Sequence, residues 1–346
     1  MELPSHHPSG MAIAQRVRAP VELAIPSPRH QLLWHPLRLE DEPQLVSLMT
    51  SPDDAHEIAL DLTTAVVTGA EQITRGLAER PGATLGGFDR AGVLRAAGVL
   101  HMWPGTNVIV LHGAVDPAWS GRGIGGSLMA WQEGRARQLL TELPGDGAVR
   151  MIAYVAEAAA NRRRLLMAAG FSPLRSVYKM RRDLEAPIAC HALPDGMKWR
   201  PLERIDPEAL RQTHNASTAG AWAPGPIYPE LWESRWPEYR PELSCVAWDP
   251  GRGRIAGYVL SRVERPTSQL TPRAEASIHR MAVDPGYRGR GIGRALMSRA
   301  LAQFADDGLR FAAAPLDPAM PHSGRPVFED FGFSPGVREI VYGLDL

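Results

Sequence analysis

Cysteine is nearly absent. Cys190 and Cys245 are the two thiols among 346 residues, too few for a disulfide framework or a four-thiolate zinc site, and neither lies in a Cys-x-x-Cys pair. That usage fits a reducing, cytoplasmic setting. Charge of one sign is lacking too: 38 Lys and Arg balance 38 Asp and Glu, which removes the electrostatic reason to expect nucleic acid or a membrane surface as the main partner. No stretch approaches the roughly 20 apolar residues of a membrane-spanning helix. Pro4, Pro8, Gly10, Pro20, Pro26 and Pro28 interrupt the start of the chain, and no secretion signal is read there. No Gly-x-x-x-x-Gly-Lys-Ser/Thr sequence is present, which excludes a phosphate-splitting loop of that type.

What the chain has is apolar bulk and a repeat. Apolar residues make up 44% and charged residues 22%, a globular mixture. At about 100–200 residues per domain the length favours two domains. Four anchors recur in order: "WHPLRLED" from Trp34 and "WRPLERID" from Trp199; "AAGVL" around Gly98 and "IAGYVL" around Gly257; "AVDPAWSGRGIGGSLM" from Ala114 and "AVDPGYRGRGIGRALM" from Ala282; "GFSP" from Gly170 and again from Gly332. The offsets of 165, 159, 168 and 162 stay close, so the copies are whole domains related by tandem duplication. The boundaries expected are a flexible arm over 1–28, a first domain over 29–184, a linker over 185–196 and a second domain over 197–346.

Hydrophobic periodicity gives both copies one element order, an α/β (α+β) pattern of strand, helix, hairpin, apolar strand, glycine turn, long helix, strand, helix and closing strand. The apolar strands are Val108–Val115 and Glu275–Val283, and the closing strands Ser176–Arg182 and Arg338–Leu346. The second long helix carries Ile292, Leu296, Ala300 and Phe304 on one stripe. At the turn before it, Arg288, Gly289, Arg290, Gly291, Ile292 and Gly293 run from strand into helix. Small residues let the backbone approach a ligand, and the first helical amides lack intrahelical acceptors, so the turn suits a diphosphate. A dinucleotide reading of Gly121, Gly123 and Gly126 is weak: the second copy has Arg294 at the third glycine, and the preceding strands read as hairpins.

"VDPGYRGRGIGRAL" resembles the acetyl-CoA signature of the GNAT acetyltransferase superfamily, and "FEDFGF" from Phe328 resembles its later helix-to-strand segment. The resemblance spans nearly the whole chain. It implies two tandem GNAT-like domains, each a mixed, mostly antiparallel twisted sheet flanked by helices. It also implies transfer of an acetyl group from acetyl-CoA to an amine in a ternary complex without a metal. It places the cofactor on Met281, Ala282 and Val283 of the strand, on Arg288 to Gly293, and at Phe328. In the first copy it places it at Val115, Gly121, Arg122, Gly123, Ile124 and Gly125.

In several members of this family the general base lies nine residues before the first signature residue, which here is His279. An imidazole of unperturbed pKa about 6.5 suits the task. The alternative is a strand histidine that donates one hydrogen bond in a polar cleft. Glu275, on the same face by strand alternation, is the second candidate, acting through a water. The family's tyrosine acid, four residues before Gly-Phe, is replaced by Phe328, which leaves departure as a thiolate of pKa near 8.5, or help from His322 or Tyr287. The first copy has Ser120, Leu111 and Leu166 at the matching positions, so it reads as a degenerate domain.

The acceptor is expected near "HNASTAGAWAPGPIYPELWESRWPEYRPE", where Trp222, Tyr228 and Glu230 combine aromatic faces with a carboxylate. Trp232 and Trp236, at i and i+4, read instead as anchors of a helix on the core. The acceptor class is a small-molecule amine or a protein N-terminus or lysine, and the assembly a monomer or homodimer. Two rivals stay open. One is a non-catalytic protein that senses acetyl-CoA or an amine. The other is a mycothiol synthase-type enzyme, also tandem with a catalytic second half, which carries Asn and Tyr where this chain has Pro321 and Phe328.

Overall fold

The computed structural model describes residues 10–27, 31–49, 81–102, 106–218, 226–264, 274–319 and 324–346. The chain divides into two compact units, one of Met1–Ser176 with Glu339–Leu346 and one of Val177–Arg338.

In the first unit β1 (Leu33–His35), β2 (Thr84–Phe88), β3 (Leu94–Met102) and β4 (Val108–Val115) form an antiparallel meander. β4 runs parallel to β5 (Arg150–Ala156), but the two pair only over Val108–Val110. The outer neighbour of β5 is an antiparallel strand from the end of the chain, residues 339–345. α1 (Ile13–Arg16) and α2 (Glu42–Met49) precede the hairpin, α3 (Ile124–Leu140) follows the first glycine turn, and α4 (Ala160–Ala168) follows β5. The arm expected to be flexible is, from residue 10 to residue 27, part of this unit. Ile13 and Val17 lie fully buried in its core, and burial of two such side chains contributes about 1.5–3 kcal/mol each. Arg16 donates to the carbonyls of Asp146, Gly147 and Leu346, and Arg137 and Gln138 of α3 donate to those of Val17 and Pro20.

The second unit repeats the order. β6 (Ser172–Asp183) enters it at Val177, followed by β7 (Lys198–Arg200), α5 (Pro207–Thr218), α6 (Pro229–Arg235), β8 (Cys245–Asp249), β9 (Arg254–Glu264) and β10 (Glu275–Val283). α7 (Ile292–Asp306), β11 (Phe311–Leu316), α8 (Arg325–Asp330) and β12 (Ser334–Asp345) complete the chain. β7, β8, β9 and β10 pair antiparallel in that order, β10 meets β11 in parallel, and β11 pairs antiparallel with β6. One face of this sheet carries α7, whose Ile292, Leu296, Ala300 and Phe304 are almost wholly buried, as the stripe in the sequence predicts. On the other face Tyr258 and Leu260 of β9 pack with Leu210 of α5, Trp232 of α6, Leu202 and Tyr239.

The closing strands are exchanged relative to the expectation. Residues 178–183, read as closing the first copy, pair with β11, and residues 339–345, read as closing the second, pair with β5. Both follow the same "GFSP" anchor with similar alternation, so nothing local distinguishes their partners, and pairing is decided by long-range register. The segment read as a linker belongs to the second unit, where Ile188 and Leu193 pack on the α7 core.

Candidate functional site

The site is built where β10 runs into α7. Asp284 accepts a hydrogen bond from Gly286 N at 2.8 Å and so shapes the tight turn Pro285–Tyr287. Gly289 and Gly291 then adopt φ of +75° and +83°. A residue with a side chain there costs about 1–2 kcal/mol. A Cβ at either would meet nothing within 4 Å, so glycine is required by the backbone, and the space before the turn is open. Gly291 caps α7 without a side chain, and the first helical bond is Ala295 N to Gly291 O at 3.1 Å. The amides of Ile292, Gly293 and Arg294 therefore have no acceptor within the helix, at the end where its dipole is equivalent to about half a positive charge. An anion such as a diphosphate fits there. Arg290 stays at the exposed rim, its guanidinium 5.4 Å from the Tyr287 ring and 3.2 Å from Gly286 O. Arg288 is turned inward and braces the strand end, donating to Val283 O at 3.3 Å and Ser217 O at 2.7 Å.

β10 opens a second element of the site. It pairs with β11 only over Glu275–Ser277, although β10 continues to Val283 and β11 to Leu316. Beyond Ser277 no strand among the described residues pairs with this edge of β10, which leaves alternate amides and carbonyls around Met281, Ala282 and Val283 without a ladder partner there. At the same place the register with β9 slips between Ile278 and Arg280, which makes His279 the bulged residue. A bulge changes the phase of alternation. Ala276 and Ile278 belong to the α7 core before it, and Met281 and Val283 pack on that core after it. His279 and Arg280 are thereby both delivered to the α5–α6 face, where the His279 and Tyr239 rings are 5.6 Å apart and Ala282 joins the apolar cluster.

His279 is 2% exposed and Glu275 1%. The Glu275 carboxylate is engaged by Arg181 Nη2 at 2.5 Å and Lys179 Nζ at 3.7 Å, both on β6. Around His279 lies a cluster that the motif reading missed. Arg280 donates from Nε to the Tyr239 hydroxyl at 3.0 Å, and its Nη1 lies 3.2 Å from His214 Nε2. Because an arginine only donates, that imidazole nitrogen accepts, which leaves Nδ1–H of His214 to donate to the Tyr258 hydroxyl 2.5 Å away. Burial, reinforced by the Arg280 charge, holds the His214 pKa well below the usual histidine value, and burial pushes the Tyr258 phenol up, so both are neutral. Trp232 places its ring 5.6 Å from the Arg280 guanidinium. The available signal was the pair His279-Arg280 inside an apolar strand, since two adjacent polar residues there break alternation.

Other expected residues fall elsewhere. Phe328 packs in the α7 core edge-on to Phe333 at 5.1 Å. Tyr287 donates its hydroxyl to Asp249 at 2.8 Å, and burial raises its pKa. Tyr228 and Glu230 are exposed at the start of α6, whereas Trp232 on the same helix is buried. Trp222 and His322 lie outside the described residues. In the first unit Gly121 and Gly123 repeat the turn with φ of +76° and +79°, and Arg122 lies 4.5 Å from the Trp119 ring as Arg290 lies beside Tyr287. Val115 ends β4, Ile124 starts α3 and is buried, and Gly125 follows it, but β4 pairs with β3 without a bulge and carries Leu111 where β10 carries His279. Among the described residues no group of three or more His, Cys, Asp and Glu could hold a metal ion, and no helix is long and apolar enough to cross a membrane.

Comparison with known proteins places this geometry. Residues 208–333 match the model of the Acetyltransferase (GNAT) family. A mycothiol acetyltransferase from Thermobifida fusca is 27% identical over 250 residues, 66% of this chain and 72% of that protein. A GCN5-related N-acetyltransferase from Sphaerobacter thermophilus has the same fold, with a TM-score of 0.69 at 19% identity over 91% of this chain and 96% of that one. A tandem GNAT protein from the clavulanic acid biosynthesis pathway gives a TM-score of 0.62 at 18% identity, covering 91% of this chain and 98% of that one.

Proposed function

We propose that the chain is an acetyltransferase of the GNAT type, in line with the family match over residues 208–333, and that its second unit moves the acetyl group of acetyl-CoA to a primary amine by direct attack in a ternary complex. The observation that carries the reading is the turn: two left-handed glycines, an uncapped helix start and open space before them. Those features fit the coenzyme's diphosphate, with the amides of Ile292 to Arg294 as donors and Arg290 at the rim. When bound, acetyl-CoA supplies an acyl carbonyl and a sulfur leaving group. The unpaired edge of β10 beyond Ser277 offers amides and carbonyls to the rest of the cofactor around Met281 to Val283. His279, held by the bulge, takes the proton from the attacking amine. Glu275, bound between Arg181 and Lys179, is the second candidate and acts through a water. Phe328 has no proton to give, so sulfur leaves as a thiolate.

The first unit keeps the glycine turn and lacks both the bulge and an ionisable residue at Leu111, so we assign it a structural or cofactor-holding role. The two thiols of the chain, both in the second unit, are free, which fits a reducing cytoplasm. A second reading rests on the likeness to mycothiol acetyltransferases and takes a mycothiol-type acceptor. The test is calorimetry with coenzyme A, followed by thiol release over an amine panel. Binding and amine-dependent release support transfer. Absence of heat at millimolar coenzyme overturns it, and tight binding without release in any arm makes the chain a sensor.

A further inference from the structure

Arg280 is a buried charge on the α5–α6 face of the second unit. It is 6% exposed, and its Nη2 has no hydrogen-bond partner. Its other contacts are the Tyr239 hydroxyl, the His214 imidazole and the face of Trp232, all of them neutral. No carboxylate among the described residues pairs with it. The segments of this unit outside the described residues, 219–225, 265–273 and 320–323, contain no Asp or Glu. Glu264 stands opposite Glu275 at the far end of the strand, whereas Arg280 stands opposite Leu260. An isolated guanidinium out of water is costly unless an anion joins it, and the neutral His214 beside it accepts a hydrogen bond but supplies no countercharge. Arg280 also sits one residue from the proposed base, on the same face, and Tyr239 touches both.

We propose that Arg280 is the receptor for a carboxylate of the acceptor, so that the amine acetylated in the second unit belongs to a molecule carrying a carboxylate a short distance from its nitrogen, as in an amino acid. The free Nη2, with Nη1 beside it, presents the guanidinium edge that a carboxylate recognises with two parallel hydrogen bonds. His279 and Arg280 then read the two ends of one small acceptor, the amine at the imidazole and the carboxylate at the guanidinium. Trp232 and Tyr239 hold that guanidinium in place. The same pairing disfavours acceptors that lack the anion, because they leave Arg280 buried and unpaired.

The inference rests on the second unit being the acceptor site, so its test reads binding as well as turnover. The full chain, saturated with coenzyme A, is titrated by calorimetry with free amino acids, each beside its carboxamide, and with dipeptides, which separate a free amino acid from a peptide as the source of the carboxylate. At least one amino acid or dipeptide is expected to bind about tenfold or more tightly than its carboxamide. Arg280→Gln is expected to bring that ratio to near one, and Arg280→Lys to restore part of it. The proposal is overturned if no carboxylate outdoes its carboxamide in the wild type, or if the ratio survives in Arg280→Gln. The wild-type comparison decides by itself should the glutamine variant fail to fold. Carboxylate preference without thiol release refutes transfer and leaves this inference standing. Thiol release with no such preference does the reverse.

Discussion

Replacing Gly289 by alanine, with Gly121→Ala in parallel, separates what the glycine turn does for the fold from what it does for the ligand. The two glycines sit at φ of +75° and +76°, and a Cβ at either meets nothing within 4 Å. Steric collision is therefore excluded as a cost. What remains is the left-handed backbone, about 1–2 kcal/mol against a residue with a side chain. Stiffening of the unfolded chain by alanine returns about 0.4–1 kcal/mol of that. The net loss is about 1 kcal/mol for either substitution, or a fall in midpoint of about 2–4 °C for units of this size, read by thermal unfolding. The two variants should match in stability and differ in binding. At Gly289 the new methyl stands in the open space before the turn proposed to hold the diphosphate, and calorimetry should show coenzyme A weakened about tenfold, with amine-dependent thiol release reduced; Gly121→Ala should leave release at the wild-type rate. Unchanged coenzyme affinity in Gly289→Ala, or loss of release in Gly121→Ala, refutes the assignment of the cofactor to the second turn.

Burial pushes the Cys245 thiol up to about 12, whereas Cys190 is exposed, so a thiol reagent at neutral pH should label one cysteine in the native chain and two after denaturation, counted by mass spectrometry. The folded His214 resists protonation, so the unfolded chain takes that proton first; stability should be full above pH 6.5 and fall by up to about 1.4 kcal/mol per unit below it, and urea midpoints at pH 7.5 and 5.5 should show a slope that His214→Gln reduces. Ile13→Ala, in the segment that composition reads as a flexible arm, should cost about 2–5 kcal/mol of stability in the first unit and leave coenzyme binding at the second turn intact, as chemical unfolding and calorimetry would show.

The parts of this fold that were legible in the sequence are those governed by local periodicity. Val108–Val115 and Glu275–Val283 emerge as strands at the boundaries read from the sequence, and the stripe from Ile292 to Phe304 is buried as its spacing requires. The glycine turn was legible because recurrence 168 residues apart marks a backbone demand. The partners of the closing strands were not, since pairing is a property of distant registers. α1 was hidden by the prolines that flank it, Pro8 and Pro20, although Ile13 and Val17 at i and i+4 share a face. The acceptor side was read from the aromatic run, but helix phase turns Trp232 inward and leaves Tyr228 and Glu230 outside. His214, Tyr258 and Arg280 come from three separate elements, and only the bulge at His279 shows why they meet.

The central claim is that an imidazole at the bulge of β10 moves the amine proton. Thiol release should therefore be measured from pH 6 to 9 with wild type and His279→Gln at saturating acetyl-CoA. The account predicts a loss of about 10²–10⁴-fold in the variant together with disappearance of the acidic limb of the pH profile, coenzyme binding being retained. A variant whose rate and pH profile coincide with those of the wild type contradicts it.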